Sequence, residues 1–165
     1  MKKNTVIISV IVLIALIISA IVYVVIQNNR EKSDTSEINR NANLADITFN
    51  DDKINIYFFW GNGCEHCKEL FAYFEDNYEE ISKYANIYAY EVWYNKENGE
   101  IMDALADELG DNIGRTVPYY IIGDKSFSGY NSSKNSEIKE TIINKYENRD
   151  NIKDFSEIIA NLKKE

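Results

Sequence analysis

From residue 54 onward the chain alternates short apolar, aromatic-rich runs with amphipathic stretches. Residues 54–60, Ile-Asn-Ile-Tyr-Phe-Phe-Trp, read as a buried strand, and Gly61-Asn62-Gly63 as the turn after it. Leu70, Phe71, Phe74, Tyr78 and Ile81 recur at helical spacing, predicting a helix over 64–84 whose apolar face covers a sheet. Residues 86–94 are aromatic and β-branched, a second strand, and 99–109, with Ile101, Met102, Leu105 and Leu109, form a second helix closed by Gly110. Residues 119–122 and 126–129 then predict a hairpin around Gly123-Asp124-Lys125, and 136–148 a closing helix. An amphipathic segment over 152–162 adds a C-terminal helix, and 44–49 offers a candidate edge strand. The order strand-helix-strand-helix-strand-strand-helix implies an α/β fold: a mixed sheet with helices on both faces.

The N-terminal part has a different pattern. Residues 6–26 carry no charge and are almost wholly aliphatic, with Lys2 and Lys3 in front. This run is long enough to cross a bilayer, and no small-x-small site comes closely after it, so an uncleaved anchor over 1–26 is favoured over a cleaved signal peptide. Residues 27–43 are polar and read as a tether, leaving 44–165 as the folded domain. An apolar segment so near the N-terminus exports the chain beyond it, giving a single-pass protein of the cell membrane with its domain outside the cytoplasm.

Charge narrows the partners. The chain has 18 Lys+Arg against 27 Asp+Glu, a net charge of −9, which argues against nucleic acid and against anionic headgroups as partners of the folded domain.

The candidate chemistry is concentrated. The chain has two cysteines and one histidine, all within Cys64-Glu65-His66-Cys67, and its one proline is Pro118 of Thr116-Val117-Pro118. A Cys-x-x-Cys at the start of a helix places two sulfurs one turn apart, close enough to close and reopen a small disulfide. Near the helix N-cap, unpaired N–H groups and the positive end of the helix dipole favour thiolate at Cys64. Cys64 is then the nucleophile and Cys67, one turn in, the resolving thiol. Two other readings of the pair are open: half a zinc site, for which two thiols and one imidazole supply too few ligands, and a permanently closed structural disulfide, for which the loop is too short to restrict the unfolded chain much. No metal or other cofactor is expected.

Trp60-x-x-x-Cys64-x-x-Cys67, together with a Thr-Val-Pro that precedes a strand, resembles the thioredoxin superfamily over roughly residues 53–148. The resemblance implies a thioredoxin-like mixed sheet flanked by helices. It also implies a cis Pro118 facing the disulfide and a Val117 backbone that pairs with the substrate peptide, with Thr116 and Trp60 beside it. His66 resembles the histidine of DsbA and the protein disulfide isomerases, which stabilises the reduced thiolate and makes the pair oxidising. Its alternative is an exposed bystander, and the alternative for Trp60 is core packing. The segment from Thr116 to Gly123, with Ser128-Gly129-Tyr130, resembles the glutathione-binding proline loop of glutaredoxins.

Two positions depart from these patterns. Glu65 stands where the families carry proline or glycine, and a carboxylate there opposes ionisation of Cys64. Phe58 occupies the position of the buried proton-relay carboxylate of thioredoxins; Glu91 is a substitute candidate, with a solvated strand carboxylate as the alternative.

These features lead to the expectation of a thiol-disulfide oxidoreductase that acts on exported proteins bearing thiols or disulfides, with oxidation favoured and a membrane redox partner that resets the pair. A disulfide reductase of thioredoxin or glutaredoxin type and a non-catalytic, membrane-tethered redox sensor are the alternatives.

Overall fold

The computed structural model describes residue 14 and residues 16–21, 52–153 and 155–162. The chain divides into two units, Met1–Ser36 and Glu37–Glu165. In the first, residues 14 and 16–21 are helical, and among the described residues no helix is long and apolar enough to cross a membrane. The rest of the run 6–26, the tether 27–43 and the candidate strand 44–49 lie outside the described residues.

The second unit is an α/β fold. Its elements are β1 (Ile54–Trp60), α1 (Glu65–Asp76), α2 (Tyr78–Ile81), β2 (Ala85–Glu91), α3 (Lys96–Leu109), β3 (Tyr119–Ile122), β4 (Lys125–Ser128), α4 (Asn135–Glu147) and α5 (Ser156–Leu162). The sheet order is β2-β1-β3-β4. Strand β1 runs parallel to β2, with Ile54 opposite Ala85, and antiparallel to β3, with Phe59 opposite Tyr119. Strand β4 returns antiparallel on β3, Tyr119 opposite Ser128.

Period-two alternation divides the sheet's side chains between two cores. Ile54, Ile56, Phe58, Ala89, Tyr120 and Ile122 point to one side and pack with Leu70, Phe71 and Phe74 of α1 and Ile138 and Ile142 of α4. Tyr57, Phe59, Tyr88, Tyr90, Tyr119 and Ile121 point to the other, under Ile101, Met102 and Leu105 of α3. The C-terminal segment completes that second face: Phe155, just before α5, is buried edge-on to Tyr57 at 6.0 Å, and Ile159 of α5 is buried in the same core. The C-terminal segment is therefore a wall of the core, and it is helical from Ser156, later than 152.

Three of the element boundaries that differ from the sequence reading have a local reason. The helix predicted over 64–84 stops at Asp76, because Asn77 turns its amide onto the Tyr73 carbonyl at 2.8 Å, and α2 then starts as a separate turn. Helix α3 begins at Lys96 and not at 99, because the Asn95 side chain accepts from the Asn98 N–H at 3.1 Å and caps it. Gly99 lies inside the helix, where a Cβ would come within 2.8 Å of the Arg115 guanidinium laid over it. The second strand ends at Glu91, whose side chain gathers the next residues into a loop.

Candidate active site

The two cysteines sit where β1, the central parallel strand, hands over to α1. Gly63 takes φ 95°, a conformation that favours glycine, and lets the chain turn into the helix. Cys64 is the N-cap, its amide donating to the Gly61 carbonyl at 3.0 Å and its carbonyl accepting from Lys68 at 3.2 Å. Cys64 and Cys67 are joined in a disulfide with Cα atoms 5.2 Å apart. Cys67 is buried, 1% exposed, against Leu70 and Phe71, whereas Cys64 is half-buried at the surface. The Cys67 N–H donates to Sγ of Cys64 at 3.1 Å. The same donor would stabilise a thiolate there after reduction, as an N-cap acceptor is stabilised in any helix.

The proline loop meets this sulfur. Val117-Pro118 is a cis peptide, and the Val117 carbonyl oxygen lies 3.9 Å from Sγ of Cys64. Pro118 is buried, with its carbonyl accepting from Gly129 N–H at 2.8 Å, and Val117 is half-buried between the two cores. Thr116 is exposed, its amide turned to Ile113. Ahead of it, Arg115 adopts φ 59° and clasps Asp103 of α3 through Nε at 2.9 Å and Nη2 at 2.6 Å. This exposed clasp, seated over Gly99, fastens the proline loop to α3. Neither Arg115 nor Asp103 was legible as part of the site, although a glycine inside a helical pattern signals a close approach.

The remaining candidates divide. His66 is on the outer side of α1, its side chain 67% exposed and its Nδ1 3.0 Å from Glu69 Oε2. Glu65 is likewise exposed and pairs with Lys68 at 2.6 Å, so an ammonium partly offsets the carboxylate beside Cys64. Trp60 packs edge-on to Phe71 at 5.4 Å. Phe58 is fully buried, its ring 4.6 Å from Phe71 and 6.0 Å from Phe74.

Glu91 is the half-buried last residue of β2, a strand carboxylate with backbone amides on both oxygens. Its Oε1 accepts the amides of Asn62 and Trp93, each at 3.1 Å, and its Oε2 those of Tyr94 at 2.9 Å and Asn95 at 3.2 Å. One carboxylate thus ties the turn before Cys64 to the loop between β2 and α3.

Among the described residues no cluster of three or more His, Cys, Asp or Glu side chains is placed to hold a metal ion. Comparison of the chain with family models, curated proteins and solved structures gave no match.

Proposed function

We propose that the chain is a thioredoxin-like thiol-disulfide oxidoreductase that introduces disulfides into exported polypeptides from a domain tethered outside the membrane. The observation that carries the reading is the asymmetry of the pair: a half-exposed N-cap sulfur that accepts a backbone N–H, bonded to a buried partner one turn in, with the Val117 carbonyl beside it. A structural disulfide has no need of an exposed sulfur at a helix N-terminus, where thiolate is favoured.

The exchange follows from that asymmetry. A client thiolate attacks Sγ of Cys64, the Cys64–Cys67 bond breaks, and Cys67 leaves as a thiolate that takes up a proton. The client's second thiol gives up its proton and attacks the client sulfur of the mixed disulfide, closing the client's own disulfide and releasing Cys64 as a thiolate. Two electrons have passed from client to pair, and a disulfide-bearing membrane partner takes them back. The client backbone lies along Val117 as an added strand. The uncharged run 6–26 supports the tether, and a compartment outside the reducing cytosol supports the oxidising direction.

Replacing Cys67 with Ser tests the reading: the lone Cys64 thiolate still attacks a client disulfide and expels one client sulfur as a thiolate, and without Cys67 no thiol of the chain cleaves the mixed disulfide that results. Mixed disulfides between Cys64 and exported proteins should accumulate in cells, and should vanish in Cys64→Ser. A Cys67→Ser chain that captures no protein partner would leave the tethered sensor as the better account.

A further inference from the structure

Of the large hydrophobic side chains in the second unit, Trp93 and Tyr94 are the exposed ones among the described residues, at 51% and 81%. They are adjacent in sequence, and Trp93 adjoins the redox turn. The Trp93 indole lies so close over Gly61 that a Cβ there would come within 2.6 Å of Cε3, and the Gly61 carbonyl is the acceptor for the Cys64 amide. The Glu91 carboxylate holds both sides of this contact, through Asn62 on the turn and through Trp93, Tyr94 and Asn95 on the loop. An exposed aromatic pair whose two backbone amides are held by one carboxylate loses less conformational freedom when it is covered, which favours a binding surface.

We propose that Glu91 is a positioning residue that locks Trp93 and Tyr94 onto the turn before Cys64, and that this aromatic rim receives an apolar or aromatic side chain of the client next to its reacting cysteine. The proposal rests on the oxidoreductase reading and adds a specificity to it. Its occupant is an extended polypeptide, because Trp93 covers Gly61, whose carbonyl holds the amide of the cysteine that the client must reach.

The test compares two synthetic dithiol peptides, one with Phe and one with Gly beside the first cysteine, as substrates of the oxidised protein. Wild type should prefer the Phe peptide in kcat/KM, through a lower KM. Trp93→Ala should lower that preference about fivefold, the scale of one lost apolar contact. Glu91→Gln leaves one carbonyl oxygen for four N–H groups and should lower the preference by a similar factor. In the Trp93→Ala background it should add little, since the two act as a unit. Gly61→Ala pushes the indole off without touching Glu91 and should reproduce the loss. Amide exchange at Asn62, Trp93, Tyr94 and Asn95 should quicken in Glu91→Gln. An unchanged preference in all three single variants, with turnover intact, would overturn the rim and leave the enzyme reading standing. Absence of turnover with either peptide in wild type would overturn both.

Discussion

The backbone N–H of Cys67 donates to Sγ of Cys64 across 3.1 Å, so the helix that buries one sulfur also stabilises charge on the other. After reduction the two thiols should therefore differ in reactivity. Alkylation at neutral pH should modify Cys64 at least about tenfold faster than Cys67, because thiolate character and exposure both favour it. Mass spectrometry of a brief alkylation reads the ratio, and equal rates would mean that the N-cap does not activate Cys64.

His66 should tune the pair only modestly. Its imidazole is largely exposed and paired with Glu69, where solvent screens its influence on the sulfurs. His66→Ala should shift the reduction potential by no more than about 30 mV, a factor of ten in the exchange equilibrium. A much larger shift, measured by equilibration with glutathione, would make His66 a direct partner of the Cys64 thiolate.

Phe58 carries stability. Its ring is fully buried between Phe71 and Phe74, so Phe58→Ala should cost about 3–5 kcal/mol in urea unfolding. A cost below about 1 kcal/mol would show that the site collapses around the missing ring.

The tyrosines give the domain an alkaline limit. Burial holds Tyr119 above the ordinary phenol range, with its hydrogen bond to Asp111 adding to the effect, and burial raises Tyr120, with Tyr130 and Glu137 contributing. Below about pH 10, the unfolded phenol value, both states keep the proton and the contribution to stability is complete. Above it the unfolded chain loses protons that the folded chain retains, so stability should fall as pH rises towards the raised folded values. The Tyr120 hydroxyl is buried without a hydrogen-bond partner among the described residues. Tyr120→Phe should therefore flatten the alkaline fall and raise stability at neutral pH by about 1 kcal/mol, as read by urea unfolding at several pH values.

The strands, the order of elements and the two-sided sheet were legible because they rest on periodicity. Phe58 and Phe59 alternate between the two cores as a period of two requires. The cysteines were legible because their spacing fixes a helix turn, and Pro118 because its cis bond to Val117 comes in a Thr-Val-Pro before a strand. The hidden features depend on polar side chains reaching across the chain. Asn77 and Asn95 cut helices by competing for backbone groups, and no hydrophobic pattern announces that. The hold of the Glu91 carboxylate on the Asn62 amide was hidden because the two lie far apart in sequence and close in space. The clasp of Arg115 on Asp103 is invisible for the same reason. The role of 152–162 became clear only through Phe155 meeting Tyr57, a contact between the first strand and the residue just before the last helix.

The reduction potential of the Cys64–Cys67 pair bears most directly on whether this disulfide is a working part that oxidises clients. Equilibrating the purified domain against glutathione buffers and counting free thiols gives it. A value between about −120 and −180 mV, the range of pairs that donate disulfides, is the predicted result. A value below about −300 mV, where structural disulfides lie, would contradict it.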